Sequence, residues 1–277
     1  MIVSYEDTNI PTPEDVRNGW CFGLPLTDEN GNTMSDELLK KYIMAAVKYV
    51  ERQIGIYLKP MVIACNPEER GLEQGVDYEI AEPPYDYNAF FYRQWGFLQL
   101  RERPVQELHG FKLILPNGQI IIDFIKKPEW IKLYKKRAQI HIVPYGGDPT
   151  IFTHLGSSIT GYPFVAGGLY ADIPQMFYVD YIAGYPLNGI PEDVVNAVGK
   201  KAAIDVLGVA GDAVMAGIAG MSTTIDGLTE SYETTASSTS ATYGSRILQY
   251  QRELDDFFDE RKGGIRSSER GFTISGL

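Results

Sequence analysis

Tyr181-Ile182-Ala183-Gly184-Tyr185-Pro186, then Ile190-Pro191-Glu192-Asp193 and an Ala/Val-rich run to Gly220, is the stretch on which the fold turns. A Ser/Thr-rich segment carrying Thr224-Ile225-Asp226-Gly227-Leu228 follows, and a second periodic run from Tyr243 to Lys262 stops at Gly263-Gly264. The order is strand, turn, helix, long loop, helix, stop. Pro191 suits a first helical position, where its missing N–H costs nothing. Glu192 and Asp193 complement the helix dipole in the first turn. Val194, Val198, Ala202 and Val206 recur at helical spacing. In the later run Tyr243, Ile247, Tyr250, Leu254, Phe257 and Arg261 form one face, apolar until its last member.

Upstream, Ser35 is a good N-cap, with Asp36 and Glu37 behind it and Met34 and Leu39 placed as a hydrophobic staple. Leu39, Tyr42 or Ile43, Ala46, Val50 and Ile54 mark an amphipathic helix ended by Gly55 and Pro60. Between Tyr57 and Tyr185 the period falls to two. Met61–Cys65, Val76–Ile80, Phe97–Leu100 and Met176–Ile182 are strand candidates. Leu108–Leu115 and Gln119–Phe124 flank Pro116-Asn117-Gly118, a hairpin signal because Asn-Gly readily takes positive φ. Trp130–Tyr134 and Gln139–Val143 make a second hairpin across Lys135-Lys136-Arg137-Ala138. Gly146 to Gly168 is Gly/Ser/Thr/Pro-rich and reads as a surface loop.

The expected fold class is α+β. A helical core, one N-terminal helix plus a C-terminal helix-loop-helix, carries an inserted antiparallel β-sandwich or barrel. The expected division is an arm at 1–34, the first helix at 35–56, the β domain at 57–185, the helix-loop-helix at 186–262 and a tail at 263–277. The arm is broken by Pro11, Pro13, Pro25 and Asn30-Gly31-Asn32, yet Trp20, Phe22 and Leu24 are too apolar to leave unpacked.

The chain of 277 residues has a formal charge of −11, which argues against a general nucleic-acid binder. Its 18 Tyr and 12 Phe supply both core and interfaces. Two cysteines, Cys21 and Cys65, do not make a disulfide framework, so a reducing cytoplasm is expected. The N-terminus lacks the pattern of a signal peptide. No apolar run approaches the roughly 18 residues of a membrane span.

Taken together, the Tyr181–Pro186 motif, Ile190-Pro191-x-Asp193-Val194-x-x-Ala197-Val198, Ile225-Asp226-Gly227-Leu228-Thr229-Glu230-Ser231 and Tyr243-Gly244-Ser245-Arg246-Ile247-Leu248-x-Tyr250 resemble the head-to-tail connector (adaptor) proteins of tailed bacteriophages. Thr12-Pro13-Glu14-Asp15-Val16-Arg17 and Phe22-Gly23-Leu24-Pro25-Leu26 resemble their entry segment. The resemblance implies a non-enzymatic virion protein of the neck, assembled in the host cytoplasm as a ring, commonly of twelve subunits. It implies portal protein on one side, a tail terminator or other neck protein on the other, double-stranded DNA passing through without sequence-specific binding, and no membrane or cofactor. Acidic side chains facing such a channel would repel DNA during passage.

Two segments are the candidate sites. Thr224, Ile225, Asp226, Leu228 and Glu230 are expected to line the channel or clasp a neighbour, within a Ser/Thr loop ordering on assembly. Arg266, Arg270, Phe272, Ile274 and Leu277 are expected to dock the tail on the portal, with Thr273 and Ile274 adding as a strand.

Other chemistry is thin. His109, His141 and His154 lack metal-ligand spacing. Gly156-Ser157-Ser158-Ile159-Thr160 misses the final glycine of a nucleophile elbow. Gly208, Gly211, Gly217 and Gly220 match no phosphate loop. Asp86, Asp123, Asp148, Asp180 and Asp226 offer no singled-out pair. Asp205, inside the Ala/Val helix, is either buried and paired or turned to a neighbouring subunit. Lys126, Lys127, Lys132, Lys135, Lys136 and Arg137 form the one basic cluster: a solvated face, or a contact for an acidic partner surface or DNA phosphate. The rival function is a carbohydrate- or receptor-binding phage module on Tyr85, Tyr87, Phe90, Phe91, Tyr92 and Trp95. A third is an enzyme of unknown type.

Overall fold

A computed structural model describes residues 2–27, 31–88, 97–115, 118–142, 172–214, 220–225, 228–233 and 243–259. The fold is α+β. The chain divides into two compact units, Met1–Thr8 with Ile56–Asn188, and Asn9–Gly55 with Gly189–Leu277.

The second unit is mainly helical. A turn of helix, α1 (Pro13–Asp15), continues as a wider π turn over Val16–Trp20. It starts here because Thr12 and Asp15 form a reciprocal capping box and Pro13 sits at the first helical positions. Pro13, one of the residues expected to break this segment, instead initiates this turn. Helix α2 (Asp36–Ile54) begins where the Ser35 hydroxyl accepts from the Leu38 N–H, and ends at Gly55, whose φ of 68° closes the last turn. Its buried stripe is Leu39, Ile43, Ala46, Val47, Val50 and Ile54.

Helix α3 (Glu192–Val214) packs against α2 and also against α4 (Gly244–Phe258). It buries Val194, Ala197, Val198, Ala202, Ala203, Val206 and Leu207, small side chains that let its two neighbours come close. On α4 the buried residues are Ile247, Leu254 and Phe258. Phe258 is thus buried at the end of the face, where Phe257 is only half-buried. The Phe258 ring meets Tyr49 of α2 edge-on at 6.1 Å. Asp205 pairs with Lys201 at 2.5 Å, and the Lys201 ammonium lies 5.2 Å from the centre of the Tyr49 ring.

The expected long loop between α3 and α4 is instead partly a hairpin. Strands β10 (Gly220–Ile225) and β11 (Leu228–Glu233) pair antiparallel from Gly220↔Glu233 to Ile225↔Leu228. A Ser/Thr-rich composition suggests flexibility, but Thr223, Thr224, Ile225 and Thr229 are β-branched and suit strands. The closing register leaves Asp-Gly between the strands in the chain, the sequence that two-residue hairpin turns prefer.

The first unit is a two-sheet sandwich over one core. Its large sheet contains β1 (Met61–Cys65), β2 (Ile80–Glu82), β3 (Tyr85–Asn88), β5 (Val105–Ile114), β6 (Ile120–Asp123) and β9 (Asp172–Ala183). The order is β2-β1-β9-β5-β6, and β3 also pairs with β9. The small sheet is β4 (Phe97–Gln99), β8 (Gln139–Ile142) and β7 (Ile131–Tyr134), in the order β4-β8-β7. Phe111 and Phe124 stack at 4.4 Å, with Phe177 5.7 Å from Phe111. Leu98, Trp130, Ile140 and Ile142 close the same core from the small-sheet side.

Two details depart from expectation. The β1–β2 pair is parallel, Ile63 opposite Ile80, where an all-antiparallel sandwich was expected. The chain between Cys65 and Ile80 is long enough for the return that parallel strands require. The strand expected at Val76–Ile80 begins only at Ile80, because Gly75 (φ 83°) and the Asp77 N–H bond to the Glu73 carbonyl turn the chain first. The Gly146–Gly168 loop and the 263–277 tail lie outside the described residues.

Candidate functional site

The entry segment lies along α3 and α4 through side chains the sequence had not connected. The Trp20 indole covers Gly199 so closely that a Cβ there would fall 2.3 Å from the ring. Its Nε1–H donates to Asn196 Oδ1 at 2.9 Å. Tyr250 donates to the Trp20 carbonyl at 2.8 Å, Tyr243 to Pro25 at 3.1 Å and Arg246 to Phe22 at 2.9 Å. Three residues of the Tyr243–Tyr250 motif therefore hold the Trp20–Pro25 backbone. Beside Trp20 and Tyr250, a concavity of about 630 Å³ is lined also by Asn9, Ile10, Asp15, Asn18 and Val195. Cys21 is buried, and that burial, partly offset by Arg246, pushes its thiol up to about 11, far from a nucleophile's range.

The Tyr181–Pro186 motif has a structural cause of its own. At Gly184 the backbone has φ 106°, and a Cβ would fall 2.2 Å from the Lys59 carbonyl. Gly184 donates to Pro104 and Tyr185 to Tyr57, both at 2.9 Å. Tyr181 belongs to a buried polar knot. Glu82 accepts from Tyr85 at 2.6 Å, from Tyr181 at 2.9 Å and from Arg101 at 3.3 Å. Burial drives both tyrosines well above their ordinary range, with Glu82 hydrogen-bonded to Tyr85 and Tyr85 facing Tyr181 adding to it. Burial, and then the Glu82 charge, also raise Glu102. Glu82 has partners on both oxygens, so this group ties strands together and presents no free acid or base.

The hairpin residues Thr224, Ile225, Leu228 and Glu230 lie on β10 and β11, with Thr224 opposite Thr229 and Glu230 opposite Thr223. Asp226 lies outside the described residues, as do Arg266, Arg270, Phe272, Ile274 and Leu277. Of the aromatic cluster, Tyr85 is buried on Glu82 and offers no sugar platform. Phe90, Phe91, Tyr92 and Trp95 are outside the described residues. His109 is half exposed, 3.7 Å from Glu107, and His141 lies between the Phe97 and Tyr134 rings. His154 and the Gly156–Thr160 run are outside the described residues. Among the described residues no group of three or more His, Cys, Asp or Glu could hold a metal ion, and no helix is long and apolar enough to cross a membrane.

The sequence missed the Thr12–Asp15 box, which its Thr-x-x-Asp spacing signals, and the Trp20–Gly199 contact, which nothing local signals. No protein-family profile and no curated protein matches the chain. Solved assemblies with a chain that aligns with it include "Virion of native gene transfer agent (GTA) particle" and "Neck of empty GTA particle computed with C6 symmetry". Each aligns at 15% identity and a TM-score of 0.38, over 73% of this chain and 80% of that chain. At that level of similarity no role is transferred from them.

Proposed function

We propose that this chain is a structural protein of a phage particle and, more finely, the connector of the neck. In that role it forms a ring, commonly of twelve copies, between the portal and a tail terminator or other neck protein, with DNA passing through. The observation that carries this is the set of connector-like motifs, which fall on successive elements: the end of β9, the start of α3, the end of β10 with β11, and the first turns of α4. The Tyr243–Tyr250 motif further holds the entry segment, so two separately connector-like stretches act as one packed piece. A hairpin between two packed helices is a compact device for reaching a neighbouring copy by strand pairing. The carbohydrate-binding alternative loses Tyr85 to the core. The test is the mass of the purified protein alone and with portal, together with negative-stain images. Rings that form with portal are expected. A chain that stays monomeric and unbound beside assembled portal overturns the connector reading.

A further inference from the structure

The small sheet and the segments that flank β7 concentrate positive charge in an otherwise acidic chain. Residues 126–137 hold six cations and one carboxylate, an excess of five positive charges, so the rest of a chain at −11 carries −16. Ile140 and Ile142 point into the core. The alternate residues Lys132 and His141 are opposite each other, with Tyr134 opposite Gln139. His141 lies 5.4 Å from the Phe97 ring and 5.1 Å from the Tyr134 ring, so an aromatic row crosses the three strands. Tyr134 is 53% exposed at its end. Lys132 lies two residues before it on the same strand, and Lys135, Lys136 and Arg137 follow it in the turn to β8, all exposed and without an ion-pair partner among the described residues. An exposed tyrosine on a strand flanked by cations, one of them an arginine, has the composition of an interface centre.

The same unit carries the complement. The chain from Asn66 to Glu79, between β1 and β2, exposes Glu68, Glu69, Glu73 and Asp77. Its cation Arg70 is already engaged by Asp180 at 2.7 Å. Among these carboxylates Val76 is 64% exposed. This acidic segment leads into β2, one edge strand of the large sheet. The basic segment follows β6, the opposite edge strand, and its Lys135–Arg137 turn packs near β5. Patches of opposite charge placed toward opposite edges of one sheet can pair between copies.

We propose that the occupant of the basic sheet face is a second copy of this chain, docking its Glu68–Asp77 segment there. The contact is head-to-tail, so it propagates from copy to copy and closes into a ring when the rotation permits. It deepens the ring reading above and takes its biological setting from it, while the contact itself rests on charge and topology. Nucleic acid is the weaker occupant, because the chain as a whole repels a polyanion.

The experiment is sedimentation velocity of the full chain without portal, at about 50 and about 500 mM salt. One variant carries Lys132→Glu, Lys135→Glu, Lys136→Glu and Arg137→Glu. The other carries Glu68→Lys, Glu69→Lys, Glu73→Lys and Asp77→Lys. Wild type should self-associate at low salt and dissociate at high salt. Each variant alone should associate at least about tenfold more weakly. Their mixture should associate again, since each then offers the charge the other needs. A wild type that is monomeric at both salts, a variant that associates like wild type, or a mixture that stays dissociated overturns the proposal. So does an intact self-association combined with loss of duplex DNA binding in the first variant, which would assign the face to nucleic acid. Portal docking is a separate readout: self-association without docking sinks the connector reading alone, and docking without self-association sinks this contact alone.

Discussion

Gly199→Ala tests whether the entry segment is packed on α3 as the Trp20 contact requires. In an isolated helix the change should stabilise by about 0.5–1 kcal/mol, because alanine loses less backbone freedom than glycine. Here the new Cβ would meet three Trp20 ring atoms at 2.3 to 2.5 Å. The indole cannot move away without stretching its bond to Asn196, and Tyr250 holds its backbone carbonyl. Overpacking of this kind costs about 1–3 kcal/mol. The clash therefore outweighs propensity, and we expect a net loss of about 1–2 kcal/mol in urea unfolding followed by circular dichroism. Trp20→Ala removes the clashing ring, so in that background Gly199→Ala should change sign and stabilise by up to about 1 kcal/mol. Equal effects of Gly199→Ala in both backgrounds would refute the packing.

Leu254→Asp places a carboxylate in the α3–α4 core, where Leu254 is buried, and should cost at least about 3 kcal/mol; unchanged thermal stability would mean that α4 buries another face. Tyr181→Phe leaves Glu82 Oε1 and the Glu102 N–H without the hydroxyl they share, and should cost about 1–3 kcal/mol by chemical denaturation. Glu102, raised in the folded state by burial and then by Glu82, holds its proton more tightly folded than unfolded, so its contribution to stability falls as pH rises from its ordinary value of 4.5 through the raised one. Glu102→Gln should therefore gain melting temperature relative to wild type above that window and gain nothing below it; a constant difference across pH counts against the shift. A chain ending at Lys262 should unfold like the full chain yet fail to join portal-bearing heads; full docking would remove the tail as anchor, and failure to fold would place it in the core.

Much of the fold was legible because its signals are local. The Ser35 cap, the Gly55 stop and the apolar spacings of α2, α3 and α4 each act within a turn or two of helix, so periodicity and caps locate them. The β5–β6 and β7–β8 hairpins are equally local, since each pairs strands adjacent in the chain. The β10–β11 hairpin carries a local signal too, in its β-branched residues and the Asp-Gly pair, but a Ser/Thr-rich composition masks it. At the candidate site, the residues of the hairpin and the motif glycine were legible by type, but what they touch was not.

Strand partners and close approaches came from the assembled molecule. No local pattern tells β9 to sit centrally with β1, β3 and β5 as partners, or β2 to pair parallel with β1. No local pattern joins Trp20 to Gly199, or Glu82 to Tyr181. It also took the sheet order to put the basic face and the acidic segment toward opposite edges of one unit. The reason is physical. A helix satisfies its backbone within itself, so a few neighbouring residues specify it. A strand must find its hydrogen-bonding partner elsewhere, and distant side chains compete for the same buried volume, so their pairing is settled only when the whole chain packs.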